Sequence, residues 1–185
     1  MQQYIDKMHL LLVLSFAFFL GCVFPTAQVW LEGLDTQLKT FDVFRLPYSN
    51  ASRDWIDGQY PGRVTFFRGK SSITVPRYVS EVRAGRQPKC DVWFIDGDHN
   101  RGAPLEDMKN ALQAASDGAT IIADDCTSRF KAVQVAWRAT LATGTIAHSF
   151  NRTMNLPPPG GLKGWCVGRY VPRTAGAETG TTRWG

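Results

Sequence analysis

Two short apolar runs, each followed by a pair of acidic residues, constrain the fold of this chain more than any other feature. The runs Val92–Ile95 and Ile121–Ala123 are too short for helices and lack alternating polar residues, which is typical of strands buried on both faces. Between them, apolar residues recur at helical spacing from about Leu105 to Ala115. Because a strand, a helix and a second strand form a crossover unit, we expect the two strands to be parallel neighbours.

The acidic residues that follow these strands predict a ligand site. Asp96 and Asp98 follow the first strand, and Asp124 and Asp125 follow the second. Open α/β sheets bind ligands at the carboxyl ends of their strands, and clustered carboxylates there need a compensating cation, proton or set of hydrogen-bond donors. A hard divalent ion bound by these oxygens is one solution. The alternative is that one carboxylate caps the following helix and another faces water.

His99 follows the first acidic pair directly. Histidine is the side chain best suited to exchange a proton near neutral pH, so His99 is a candidate general base. Its neighbours Asn100 and Gly102 indicate a loop over the sheet edge rather than a core position. A helix-capping or simply exposed histidine is the alternative.

The rest of the chain continues the alternation of strands and helices. Further strands are predicted at Leu38–Phe44 and Val64–Phe67, and Asp117-Gly118 predicts a turn before the second apolar run. The last two strands, Thr145–Phe150 and Gly164–Val171, are separated only by a Pro- and Gly-rich loop, so they should pair antiparallel. We therefore predict an α/β fold, a doubly wound and mostly parallel Rossmann-like sheet with a C-terminal antiparallel β-hairpin.

Composition sets the broad class of the protein. A length of 185 residues with 44% hydrophobic residues suits one globular domain. The net charge is +5, but the Lys and Arg residues are scattered and form no basic stripe, so we expect no nucleic-acid partner.

The cysteines are Cys22, Cys90, Cys126 and Cys166, which lie far apart and form no C-x-x-C pair, so a zinc site is not expected. The last three adjoin apolar strand patterns, and we predict that they are small buried thiols in a reducing compartment.

The amino terminus has three interpretations. No charged residue occurs from Met8 to Leu31, and the densest apolar stretch is Leu10–Phe24. The stretch fits a signal peptide or a membrane anchor, and the location is left open between the cytoplasm and a membrane. It also fits the first strand of the sheet, followed by a helix from about Thr26 to Leu34. A wrongly assembled gene end is the third interpretation.

Asp42 lies near the end of the second predicted strand, 21 residues after Gly21. A carboxylate at that position and spacing suits hydrogen bonding to both hydroxyls of a ribose. A solvated aspartate at a strand end is the alternative.

Taken together, these segments resemble the class I S-adenosylmethionine-dependent methyltransferases, and in particular the methyltransferase-24 type of domain. The resemblance covers about residues 26–171. It implies a seven-stranded sheet that ends in a hairpin. The matching segments are Leu38–Asp42, Phe94–His99, Asp117–Asp125 and Val133–Trp137.

The resemblance also implies roles for individual residues. S-adenosylmethionine would contact Gly21, Asp42 and Asp96, and Gly69 and Ser71 after the third strand would lie near its adenine. Metal-dependent catechol and caffeoyl-CoA O-methyltransferases are similar at the fourth and fifth strands. That similarity implies a divalent cation such as Mg²⁺ on Asp96, Asp124 and Asp125, with His99 and Asp96 as the catalytic pair.

The function expected from this resemblance is transfer of a methyl group from S-adenosylmethionine to an oxygen of a small molecule, assisted by a metal. The alternative is a non-catalytic, degenerate scaffold of the same fold, tethered to a membrane by the apolar run. It is motivated by Phe16–Cys22, which has one glycine and no acidic residue where the family has an acidic residue and a glycine-rich turn. The oligomeric state is not predicted.

The resemblance divides the chain into an apolar segment 1–25, a methyltransferase-like domain 26–171 and a flexible tail 172–185. A doubly wound sheet without its first strand would leave ladder hydrogen bonds unmade. We therefore predict that part of Leu10–Leu20 forms the central strand.

Overall fold

A computed structural model describes residues 8–14, 28, 30–32, 35–100, 102–157 and 161–171 of this chain, with the backbone alone at 8–14. Seven strands of the described part form one sheet in the order β3-β2-β1-β4-β5-β7-β6. The strands are β1 (Met8–Leu14), β2 (Thr36–Asp42), β3 (Val64–Arg68), β4 (Cys90–Asp96), β5 (Ala115–Ala123), β6 (Ile146–Leu156) and β7 (Gly161–Tyr170). The helices whose two ends lie in the described residues are α1 (Pro47–Gln59), α2 (Ser71–Arg83), α3 (Ala103–Ala114) and α4 (Lys131–Ala142).

The topology confirms the predicted doubly wound sheet with a terminal hairpin. The first five strands are parallel, with β1 between β2 and β4, whereas β7 runs antiparallel to both β5 and β6. From β2 to β5 the chain crosses between successive parallel strands through α1, α2 and α3, and these helices cover both faces of the sheet.

The apolar run near the amino terminus contains the central strand. In β1, Val13 pairs with Phe41 of β2 and Leu14 pairs with Asp96 of β4. The strand prediction therefore agrees with the structure from Leu10 to Leu14. Residues 15–20, Gly21, most of the predicted helix from Thr26 to Leu34 and the tail 172–185 lie outside the described residues. Among the helices that are described, none is long and apolar enough to cross a membrane.

Strand β4 shows how the sheet buries apolar residues on both faces. Trp93 and Ile95 belong to the larger core cluster, beneath α2, α3 and α4. Phe94 lies in the opposite cluster with Leu38 and Ile56. Successive residues of a strand point to opposite faces, so the unbroken apolar run from Val92 to Ile95 supplies both layers.

The predicted turn at Asp117-Gly118 is wrong. Both residues lie inside β5, where Gly118 adopts a φ of +74°. The pairing of β5 with β4 shifts register there, since Cys90 pairs with Ala115 but Val92 pairs with Thr120. Gly118 permits a bulge that keeps β5 continuous, whereas an Asp-Gly pair more often forms a turn at the end of a strand.

The prediction of reduced thiols is wrong for two of the cysteines. Cys126 and Cys166 are buried and form a disulfide, while Cys90 is a buried free thiol. The bond joins residues 40 positions apart, and its Cα atoms are 5.6 Å apart. The spacing of the cysteines could not predict this disulfide, because the bond depends on β7 pairing with β5, with Cys166 opposite Ala123.

We expect that replacing both Cys126 and Cys166 with Ser lowers the free energy of unfolding by about 2–4 kcal/mol, because the cross-link restricts the unfolded chain. Urea unfolding with and without dithiothreitol measures this effect. The wild-type midpoint should fall on reduction, whereas that of the double variant should not change. A wild-type midpoint that ignores the reductant would contradict the prediction.

Candidate functional site

The predicted acidic residues converge at the carboxyl ends of β4 and β5. Asp96 is the last residue of β4, and the Asp124 amide donates to the Ile95 carbonyl at 2.9 Å, which continues the β4–β5 ladder beyond β5. The loop after β4 returns His99 toward this edge. Its Nε2 lies 3.7 Å from Asp96 Oδ1 and 3.8 Å from Asp125 Oδ2.

The turn after β5 holds Asp124 and Asp125 in a defined arrangement. Asp125 adopts a φ of +52°, and its amide donates to Asp124 Oδ1 at 2.8 Å. The next amide, that of Cys126, donates to the Gly164 carbonyl of β7 at 2.9 Å. A non-glycine residue with positive φ persists only where its surroundings hold it, and these bonds supply that restraint.

Lys163 is the residue of this site that sequence reasoning missed. Its ammonium donates to Asp124 Oδ2 at 2.8 Å and to Asp125 Oδ1 at 2.9 Å. Lys163 lies at the start of β7, which runs antiparallel to β5, so its position faces the carboxyl end of β5. A lysine just before an apolar strand was the only signal in the sequence, and the strand pairing was needed to interpret it.

The electrostatics of the cluster follow from its burial and its charges. Burial lowers the pKa of His99, but Asp96, Asp125 and Asp124 raise it, and the net shift is upward. Burial, reinforced by Asp96, raises the pKa of Asp124 to about 6 although Lys163 opposes the shift. Burial also raises the pKa of Asp96. The pKa shifts of His99, Asp96 and Asp124 are thus all upward, so these groups hold their protons to higher pH than free side chains do.

A cleft opens beside His99. It has a volume of about 480 Å³ and is lined by Gly97, Asp98, His99, Asn100, Arg129, Phe130 and Lys131. The Asp98 carboxylate accepts from the Asn100 amide at 2.9 Å, which shapes the loop under the cleft. The Phe130 ring lies 4.6 Å from the His99 ring, centroid to centroid. This volume is in the range of small-molecule sites.

The residues predicted to hold a metal do not all remain available for one. Lys163 already engages one oxygen of Asp124 and one of Asp125. A different set, Asp96, His99 and Asp125, offers ligand atoms within 4.8 Å of one another. His99 Nε2 is buried and has no hydrogen-bond partner among the described residues. The predicted set of Asp96, Asp124 and Asp125 therefore does not fit a cation. A cation on the alternative set would take His99, the candidate base, as a ligand.

Asp42 and Gly69 lie at the same edge, farther along the sheet. Asp42 ends β2 and so flanks β1 on the side opposite Asp96. Its Oδ1 accepts from the Phe44 amide at 3.0 Å, and its carbonyl accepts from the Gly69 amide at 2.9 Å. Burial raises the pKa of Asp42, while the backbone donors of Phe44 and Val43 oppose the shift. Gly21, the remaining predicted cofactor contact, lies outside the described residues.

Ser71 begins α2 and hydrogen-bonds to Asp107 of α3, another residue that sequence reasoning missed. Asp107 is 2% exposed, and its Oδ2 has no partner among the described residues. Burial raises its pKa to about 6. A lone aspartate inside an amphipathic helix usually faces solvent, so nothing in the sequence separated Asp107 from its exposed neighbour Glu106.

Comparison with known proteins places these features in context. The methyltransferase-24 family, described as a methyltransferase domain, matches residues 15–126. No curated protein sequence matches the chain. The fold of this chain is similar to that of an O-methyltransferase from Bacillus cereus in complex with SAH. The two are 15% identical with a TM-score of 0.62, and the match covers 87% of this chain and 73% of that one.

Two further solved structures differ in the atom that they methylate. The O-methyltransferase TomG from Streptomyces achromogenes, in complex with SAM, is 16% identical with a TM-score of 0.60, covering 88% of this chain and 73% of that one. The N-methyltransferase NodS from Bradyrhizobium japonicum is 10% identical with a TM-score of 0.58, covering 89% and 86%. Likeness at this level concerns the fold, which does not by itself select an acceptor atom.

We expect Asp107→Asn to stabilise the protein near neutral pH. A carboxyl whose pKa rises from 3.8 unfolded to about 6 folded costs stability as pH rises between those values. The cost above pH 6 is about 2–3 kcal/mol, and the amide removes it while still accepting from Ser71. Urea unfolding of variant and wild type at pH 4 and pH 7.5 should show a gain only at pH 7.5. Glu106→Gln serves as the exposed control, and a loss of stability in Asp107→Asn at both pH values would contradict the prediction.

Proposed function

This chain belongs to the methyltransferase-24 family, and we propose that it transfers a methyl group from S-adenosylmethionine to an oxygen of a small molecule. The observation that supports this most directly is the convergence of Asp96, His99 and Asp125 at the carboxyl edge of the sheet, where His99 also lines a cleft. A parallel sheet of this kind binds its ligand at that edge.

The proposed donor site spans the ends of β2, β1 and β4. Asp42 would bond the ribose through its Oδ2, since Oδ1 already accepts from the Phe44 amide. Gly69 and Ser71 would border the adenine, with Ser71 held by Asp107. Asp96 would adjoin the methionine part, because β1 ends beside it, and Gly21 stays a proposed contact with the same part on the basis of the family resemblance.

The proposed reaction is a displacement at the methyl carbon. The acceptor oxygen forms a bond to that carbon while the carbon–sulfur bond breaks, and the sulfur keeps the electron pair as S-adenosylhomocysteine. His99 takes the proton of the acceptor hydroxyl, and Asp96 and Asp125, which face its buried Nε2, stabilise the resulting imidazolium. Because the donor is already activated, the protein contributes mainly alignment and proton removal.

Metal assistance through Asp96, Asp124 and Asp125 is not part of this mechanism. Two of those three carboxylates hold the Lys163 ammonium, and no step above requires a metal. A cation would supply Lewis-acid polarisation of the acceptor oxygen if it were bound.

Binding of S-adenosylhomocysteine measured by isothermal titration calorimetry tests the donor site. We expect wild type to bind it, and Asp42→Ala to bind about tenfold more weakly because a charge-assisted contact is lost. Asp57→Ala, an exposed aspartate on α1, should bind as wild type does. Absence of heat at protein well above micromolar would reject the enzyme and favour a non-catalytic scaffold of the same fold.

The pH dependence of kcat/KM tests His99. Because the pKa of His99 is raised above 6.5, the base is protonated at low pH and the rate should climb with pH through a midpoint above that value. His99→Gln should lower the rate by about 10²–10⁴-fold and flatten this limb, while leaving S-adenosylhomocysteine binding unchanged. A variant that keeps the wild-type profile would exclude His99 as the base.

A further inference from the structure

We propose that the Lys163 ammonium takes the position that a divalent cation would have on the acidic pair after β5, so that this chain works without a metal. The proposal rests on the proposed function as far as catalysis is concerned. Its central claim, that a side chain of the protein occupies the cation's oxygen ligands, concerns binding alone.

The first support is the geometry of the ion pairs. Lys163 Nζ lies within hydrogen-bond distance of Asp124 Oδ2 and Asp125 Oδ1, at 2.8 Å and 2.9 Å. Asp124 Oδ1 is also engaged, because it accepts from the Asp125 amide at 2.8 Å. Both oxygens of Asp124 and one oxygen of Asp125 therefore have protein donors, and a metal ion could bind them only by displacing those donors.

The second support is that Lys163 is anchored on both sides. Its side chain is 28% exposed, so it is not a free surface lysine. Its neighbour Gly164 accepts from the Cys126 amide, and Cys166 is joined to Cys126 by the disulfide. The pairing of β7 with both β5 and β6 thus holds the base of the lysine beside the acidic turn.

The third support is the effect of the ammonium on the remaining ligand set. A cation on Asp96, His99 and Asp125 would use Asp125 Oδ2, the oxygen next to the one that Lys163 holds. With metal–oxygen bonds of about 2.1 Å, it would lie within roughly 7 Å of the ammonium. Repulsion between these charges weakens binding at that set as well.

Lys163 acts as a positioning residue in this account. Three carboxylates at one sheet edge repel each other, and the single ammonium offsets part of that charge. By holding Asp125 through Oδ1, Lys163 directs Oδ2 toward His99 Nε2, 3.8 Å away. Lys163 thereby keeps the carboxylate in position to stabilise the imidazolium that forms when His99 accepts a proton.

Titration of the full-length protein with Mn²⁺, followed by the electron paramagnetic resonance signal of the free ion, tests the proposal directly. We compare wild type with Lys163→Gln, which removes the charge, and Lys163→Arg, which keeps it. Lys89→Gln is the control, because Lys89 is an exposed lysine that precedes β4, at the opposite edge of the sheet. We expect Lys163→Gln to bind Mn²⁺ at least about tenfold more tightly than the other three proteins, because it frees the two carboxylates.

Methyl transfer from S-adenosylmethionine to a phenolic acceptor gives the second readout. We expect EDTA to leave the wild-type rate unchanged. Lys163→Gln should lose at least about tenfold in rate and recover part of it with Mn²⁺, whereas Lys163→Arg should retain most activity without metal. If Lys163 had only a structural role, added Mn²⁺ would not restore the rate of Lys163→Gln.

The proposal would be overturned if wild type bound Mn²⁺ as tightly as Lys163→Gln does. It would also be overturned if EDTA abolished the wild-type rate and Mg²⁺ or Mn²⁺ restored it, or if Lys163→Gln were fully active without metal. If Lys163→Gln does not fold, as judged by thermal unfolding, the wild-type and Lys163→Arg titrations still decide, since tight Mn²⁺ binding by either would refute it. If S-adenosylhomocysteine does not bind, the proposed function fails, and the Mn²⁺ comparison still settles the role of Lys163.

Discussion

The antiparallel pairing of β7 with β5 is the interaction on which the candidate site depends. It brings Lys163 to the acidic turn and lets the Gly164 carbonyl accept from the Cys126 amide. It also sets Cys166 beside Cys126 for the disulfide. Without the last hairpin, the carboxylates at the end of β5 would have neither their counter-ion nor the restraint on the turn that carries them.

Charge compensation explains the arrangement of the cluster. Each carboxylate is costly to bury unless it gains a donor or a positive partner. Asp124 has two donors, Asp125 shares the ammonium, and Asp96 and Asp125 both face His99. The raised pKa of His99 follows from this environment, so the groups that make the cluster stable also set the basicity of its imidazole.

Much of the fold could be predicted because local patterns sufficed. Apolar runs followed by acidic residues marked β4 and β5, and helical spacing marked α3. Both agreed with the sheet order that follows from crossover connections. Local patterns failed where a tertiary contact overrode them. The bulge at Gly118 depends on pairing with β4, and the disulfide depends on pairing with β7.

The position of Asp96, His99, Asp124 and Asp125 at one edge could be predicted from the residues alone, since strand order and the direction of parallel strands place the carboxyl ends together. The packing of the strands shows that Asp96 and Asp125 face His99, whereas Asp124 and Asp125 hold the Lys163 ammonium. Lys163 is separated from Asp124 by 39 positions, and Ser71 and Asp107 meet across two helices. The physical reason is that charge pairing acts over a few ångströms of space, and distance along the chain carries no information about that separation until the strands and helices have packed.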